Sequence, residues 1–171
     1  MHLPTYPACF FTATNLNWNP LLASNAHKEI VMESLTFLQK DQRILLYAFV
    51  LMPNHLHLIW QPLGRHTPKQ NQHNFLKYTA QQIKFHLLEH DRAALENYKV
   101  QTSDREYQFW ERNPLSIELY SEKVLVQKLN YLHHNPVKAQ LCLYPEDYKY
   151  SSAKFYETAE DKWGILSHYL G

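Results

Sequence analysis

Hydrophobic and polar residues change their period several times along this chain, and each change marks an element. Residues 8–14 (ACFFTAT) are aromatic and β-branched, which predicts a first strand. The following NLNWNPLLASN is rich in asparagine, carries Pro20 and reads as a loop. Over 26–40 the apolar residues Ile30, Val31, Leu35 and Leu38 recur at helical spacing, with Asn25 placed to cap the helix. RILLYAFVLM (43–52) is a continuous apolar run of strand length, as expected of a buried central strand. Pro53-Asn54 breaks it, and HLHLIW (55–60) then alternates, so the two strands are predicted to form a hairpin with a tight turn.

The stretch 61–73 is polar, contains Pro62 and Pro68, and reads as a loop. A long helix is expected over 74–91, where Leu76, Ala80, Ile83 and Leu87 repeat at three-to-four spacing. Residues 97–113 are polar and aromatic, and 115–119 (LSIEL) offer a last short strand. Ser121 is placed to cap a helix over 122–134, whose apolar side is Val124, Leu125, Leu129 and Leu132. Asn135-Pro136 is expected to disturb or end it. The tail, 144–171, is irregular and aromatic, and is expected to pack as an extension on a single domain spanning 1–171. The order βαββαβ predicts an α+β ferredoxin-like sandwich, an antiparallel sheet with helices on one face, plus an extra C-terminal helix.

Composition narrows the chemistry. Only three glycines occur, Gly64, Gly164 and Gly171, so the Gly-rich loops that cradle nucleotide phosphates are excluded. Two distant cysteines, Cys9 and Cys142, indicate neither a thiolate zinc site nor a disulfide framework. No basic-then-apolar leader is read at the start, and no apolar run approaches the ~18 residues of a membrane span. A cytoplasmic, non-membrane domain is the expectation.

The net charge of +1 gives no support for nucleic-acid binding, but it hides an asymmetry. Arg65, Lys69, Lys77, Lys84 and Arg92 outnumber Glu89 and Asp91, whereas Asp104, Glu106, Glu111, Glu118 and Glu122 outnumber Arg105 and Arg112. Lys77 and Lys84 lie seven apart on one helical face, and with Arg65 and Lys69 they are candidates for phosphate contacts. Phe109 and Trp110 are candidates for stacking on bases. A solvated helix face and core aromatics are the plainer alternatives.

Alternation in HLHLIW turns His55, His57 and Ile59 to one face and Leu56, Leu58 and Trp60 to the other. The leucines and tryptophan suit the core. Two imidazoles are left side by side, able to bind one metal ion if a third ligand arrives from another element. Tyr131 and Asn135 are one helical turn apart and can be presented together. On these residues alone a half-exposed pair of strand histidines, a packed tyrosine and a helix-end asparagine remain open alternatives.

The run YAFVLMPNHLHLIW, followed some way on by YLHHNPVKAQLCLYPEDYKYSS, resembles the single-tyrosine HUH transposase family. That family includes insertion-sequence transposases acting on single strands and REP-associated tyrosine transposases. The likeness runs from FFTAT to the serines near residue 152. It implies a ferredoxin-like fold, His55 and His57 as metal ligands around the hydrophobic Leu56, Tyr131 as nucleophile and Asn135 as third ligand. The implied activity is metal-dependent cleavage and rejoining of single-stranded, hairpin-containing DNA through a 5′-phosphotyrosine, with Mg²⁺ or Mn²⁺ as cofactor. Homodimer and monomer both occur in the family, and the sequence does not choose.

Two departures stand out. REP-associated members carry a Gly-rich element ahead of the first strand, where this chain has LPTYPACF. Many members follow the tryptophan of QFWERN with glutamine, where this chain has Glu111. The alternative function is a domesticated nucleic-acid-binding protein of the same fold without cleavage. A zinc deaminase is the weaker rival, since neither H-x-E nor P-C-x-x-C occurs.

Overall fold

The computed structural model describes residues 5–171; the first residues of the glycine-free stretch, and of the segment read for a leader, lie outside it. Four strands, β1 (Ala8–Thr14), β2 (Ile44–Leu51), β3 (His55–Pro62) and β4 (Leu115–Leu119), form one antiparallel sheet in the order β2-β3-β1-β4. Helix α1 (Asn25–Lys40) connects β1 to β2, and α2 (Pro68–His90) with the single turn α3 (Arg92–Leu95) connects β3 to β4. The predicted βαββαβ order is therefore realised as a ferredoxin-like sheet.

One sheet face meets α1 and α2. Leu56, Leu58 and Trp60 of β3 pack there with Phe11 of β1, Val31 and Leu35 of α1, and Phe75 and Ile83 of α2. The other face carries Phe10, Ala48, Val50 and Ile59, and is covered by Leu129 and Leu132 of α4 (Glu122–Lys138). The helix read as an extra is thus the second cover of the sheet, lying on the histidine side. A register shift in the β2–β3 pairing between Leu46 and Ala48 switches the parity of β2, so that Ile44 and Leu46 and then Phe49 and Leu51 all face the helix layer.

Several boundaries differ from expectation. Ser24, not Asn25, caps α1, accepting from the His27 N–H at 3.4 Å. Helix α2 starts at Pro68, inside the stretch read as loop, because Thr67 and Gln70 form a reciprocal capping box with proline at the first position. Helix α4 does not end at Asn135: it runs through Pro136 to Lys138. Proline there removes only the N–H owed to the Leu132 carbonyl. The Ala139 N–H reaches Asn135 O at 3.0 Å and the Leu141 N–H reaches Pro136 O at 2.9 Å, with Gln140 at φ 61° ending the helix. This extra turn keeps Asn135 on a helix, directly above Tyr131.

The tail anchors α4. The backbones of Leu51 and Tyr150 bond at 2.9 Å, and the Tyr148 hydroxyl donates to Leu51 O at 2.6 Å. Ser152 donates its N–H to Phe49 O at 2.9 Å and accepts from Phe49 N–H through Oγ at 3.0 Å. His133, buried on α4, sets its Nε2 2.7 Å from the same Oγ. A short helix α5 (Ala153–Thr158) follows, more regular than the tail was expected to be.

Burial, and then the neighbouring His134, push the His133 imidazole from 6.5 down to about 4. It is neutral in the fold but takes up a proton on unfolding below pH 6.5. Its contribution is therefore complete above pH 6.5 and is lost as pH falls towards 4. At pH 5 the loss is about 2 kcal/mol. Urea unfolding at pH 7.5 and 5.0 checks this: His133→Gln, whose amide can still meet Ser152, is expected to lose about 2 kcal/mol less than the parent on acidification. Equal losses would remove His133 from the acid response.

Candidate metal and nucleophile site

The site lies where β1, the start of β3 and α4 converge. Strand pairing puts Thr12 opposite His57 and Thr14 opposite His55. The Thr12 hydroxyl stands 2.7 Å from His57 Nδ1, and Asn54 Oδ1 stands 2.7 Å from His55 Nδ1. The Asn54 oxygen accepts, so the His55 proton sits on Nδ1 and the Nε2 lone pair is left free. With Nδ1 of His57 likewise engaged, both rings have Nε2 as their remaining donor atom. Such outer partners fix ring orientation and raise ligand basicity.

The two imidazoles lie with centroids 4.9 Å apart. Burial lowers His55, partly opposed by a hydrogen bond to the Asn135 side chain, which favours the charged ring. Burial, His55 and then Lys128 lower His57 to about 3. Both rings are neutral near pH 7, the form in which imidazole binds a metal.

From α4, Asn135 reaches His55 and Tyr131 reaches His57, ring centroids 5.6 Å apart. Phe10 floors the site, stacked on His57 at 5.1 Å and edge-on to Tyr131 at 6.0 Å. Half of the Tyr131 side chain is open to solvent. All four residues that the motif singled out, His55, His57, Tyr131 and Asn135, thus meet in one place and within one chain. Among the described residues no group of three His, Cys, Asp or Glu side chains gathers at a point, so a metal set here must include the amide. Two imidazole nitrogens and an amide oxygen, without thiolate, suit Mg²⁺ or Mn²⁺ and also accept softer divalent ions.

Sequence reasoning missed four neighbours: Phe10, Thr12, Asn54 and Lys128. Lys128 sits one turn before Tyr131, its Nζ 5.8 Å from the tyrosine ring centroid and 5.2 Å from that of Phe10. Helical spacing from Tyr131 was the available signal for Lys128, and adjacency to His55 for Asn54. Phe10 and Thr12 become visible only once the β1–β3 register is known.

The basic candidates are not brought here. Lys69, Lys77 and Lys84 belong to α2, in the layer across the sheet, and Arg65 follows the far end of β3. Lys84 Nζ lies 5.3 Å from the Tyr107 ring centroid. Trp110, read as a candidate for stacking on bases, is buried in the core with Phe109, and its indole N–H donates to Thr79 Oγ1 at 3.1 Å. It presents no open ring face. Glu111, the departure from Trp-Gln, accepts the Asn17 N–H through Oε1 at 2.7 Å and so fastens the loop after β1. A glutamine oxygen can accept the same bond.

No protein-family model matches the chain, and no curated protein sequence does. Solved structures do. A candidate transposase from Deinococcus radiodurans R1 aligns with a TM-score of 0.50 at 12% identity, covering 75% of this chain and 91% of that one. A REP-associated tyrosine transposase, solved bound to a REP hairpin, aligns over 100% of this chain and 91% of its own at 14% identity, with a TM-score of 0.67. The chain has, along its whole length, the α+β fold of that tyrosine transposase.

Proposed function

We propose that this chain is a single-strand DNA transposase that cuts and rejoins DNA through a covalent phosphotyrosine on Tyr131. The observation that carries the reading is the meeting of Tyr131 with His57, and of Asn135 with His55, inside one chain. A phenol with an ordinary pKa near 10 is a weak nucleophile at neutral pH and needs electrostatic help at the phosphate. The Nε2 atoms of His55 and His57 and the amide oxygen of Asn135 would hold a divalent cation, which when bound polarises the scissile phosphate and stabilises charge on the leaving oxygen.

The chain's own groups do the rest. Asn54 holds the His55 imidazole in its ligating tautomer, and Thr12 orients the His57 ring through Nδ1. Phe10 and His57 pack on the Tyr131 ring, and the residue stays half exposed to solvent. The Tyr131 oxygen forms the bond to phosphorus, the bond from phosphorus to the 3′-oxygen breaks, and the phenolic proton is balanced by protonation of the released 3′-hydroxyl. The phosphodiester is conserved as the 5′-phosphotyrosine, so rejoining needs no nucleotide cofactor, in keeping with the lack of any Gly-rich phosphate loop.

Labelled single-stranded hairpin DNA with Mg²⁺ or Mn²⁺ tests the reading: an adduct that survives denaturation is expected, and chelation should abolish it. Binding to several hairpins with no adduct under any metal would instead mark a nucleic-acid-binding protein of the same fold. Lys128 adds a fixed positive charge beside the nucleophile. Lys128→Met is expected to slow single-turnover cleavage by ~10²-fold with DNA affinity nearly unchanged, and Lys128→Arg to retain most activity. Equal rates for the Met variant and the parent would remove Lys128 from the chemistry.

A further inference from the structure

Between β1 and α1 the backbone enters the left-handed region twice in succession, at Asn17 (φ 54°, ψ 28°) and Trp18 (φ 57°). Residues with a side chain seldom adopt this conformation, and for a bulky aromatic it is an outlier. The loop is not slack. Leu16 N–H reaches Phe109 O at 2.9 Å, Glu111 N–H reaches Thr14 O at 2.7 Å, and Asn17 N–H is held by Glu111 Oε1. Asn15 N–H bonds Asn54 O at 2.9 Å, and Trp18 N–H bonds Asn15 O at 3.0 Å. Leu16, Leu21 and Leu22 are buried on either side.

What this bracing displays is an indole that the fold does not cover. Trp18 is 64% exposed, whereas Trp60 and Trp110 are in the core. Its ring lies edge-on to His55, centroids 6.5 Å apart, at the rim of the site. The loop is also hydrogen-bonded to Asn54, the residue that orients His55, so ring and imidazole are held in one frame. A large flat apolar ring, carried on a braced backbone and left in water beside a phosphate-handling site, matches an unpaired base, which always offers a π-face.

We propose that Trp18 is a stacking platform for the unpaired nucleobase adjoining the phosphate handled at His55 and His57, with Glu111 as the brace that keeps it presented. The proposal rests on the reading of the site as one that acts on single-stranded DNA. Stacking there would set the phosphate's position through its own nucleoside, without reading sequence.

The test uses the full chain carrying Tyr131→Phe, so that DNA stays intact, with an oligothymidylate in which one nucleoside at a time is abasic. Removing the stacked base is expected to weaken binding about tenfold in the Trp18 protein and to have no further effect in Trp18→Ala. Trp18→Phe should restore part of the difference. Glu111→Ala should lower it, and Glu111→Gln should keep it. An oligonucleotide carrying 2-aminopurine at that position should be quenched by the Trp18 protein and not by Trp18→Ala. Equal affinities for Trp18 and Trp18→Ala at every abasic position, with unchanged quenching, overturn the platform. Adduct formation by Trp18→Ala in a Tyr131 background is scored separately. Normal adduct without base coupling rejects the platform alone. Base coupling without any adduct in the parent rejects the nucleophile and leaves the platform standing.

Discussion

Replacing Tyr131 by phenylalanine is expected to abolish the covalent protein–DNA adduct, lowering strand cleavage by at least ~10³-fold while DNA binding stays within a factor of two. The substitution removes one oxygen and little else. The ring is held by His57 and Phe10, contacts that phenylalanine keeps, and half of it already faces solvent. Leu129 and Leu132 anchor α4 independently, so the fold should not register the change. A radiolabelled oligonucleotide on a denaturing gel gives the measurement, and mass spectrometry of the adduct locates the linked residue. Undiminished adduct in the variant would move the nucleophile to another of the twelve tyrosines and undo the proposed function.

Loss of the His57 imidazole is expected to have the second largest effect. His57→Ala removes one of only two imidazole donors and should reduce cleavage by ~10³-fold at any Mg²⁺ or Mn²⁺ concentration. The scale is that of losing the group that stabilises transition-state charge. His57 is also buried between Phe10 and Tyr131, so a second variant is needed to separate ligation from packing. Thr12→Val keeps the volume and removes the hydroxyl 2.7 Å from Nδ1. Losing such an outer partner typically lowers metal affinity 10–100-fold. The variant should therefore need correspondingly more Mn²⁺ for half-maximal cleavage and regain the parental rate at saturation. A Thr12→Val protein with an unchanged Mn²⁺ requirement would break the link between that hydroxyl and the ligand.

Periodicity exposed the elements whose packing is local. The alternation of 55–60, the apolar run of 43–52 and the helical spacing of 26–40 and 122–134 all became structure, because in each the side chains that bury recur at the period of the backbone. The first turns of α2 were hidden by PKQNQH, which has no apolar stripe. There the helix is carried by the Thr67–Gln70 capping box and by buried Asn71, whose side-chain amide donates to Arg43 O at 3.2 Å. Pro136 hid the last turn of α4, since what sustains it is hydrogen bonding from residues beyond the proline.

The four candidate residues were legible as a motif, but their neighbours were not. Thr12 and His57 are 45 positions apart and meet only through strand register, which no local pattern encodes. For Trp110 the sequence left base stacking and core packing both open, and it is Thr79 of α2, 31 positions away, that fixes the ring in the core.

The pin formed by His133, Ser152 and the Phe49 backbone has a consequence for traffic at the site. It nails the tyrosine helix to the sheet that carries the histidines, and the nail is a buried imidazole. Lending that helix to a second chain would first require pulling the nail. On the proposed function, a DNA end attached to Tyr131 therefore stays where it was cut. On that reading the joining partner would be brought to the tyrosine, and successive strands would use the same residue in turn.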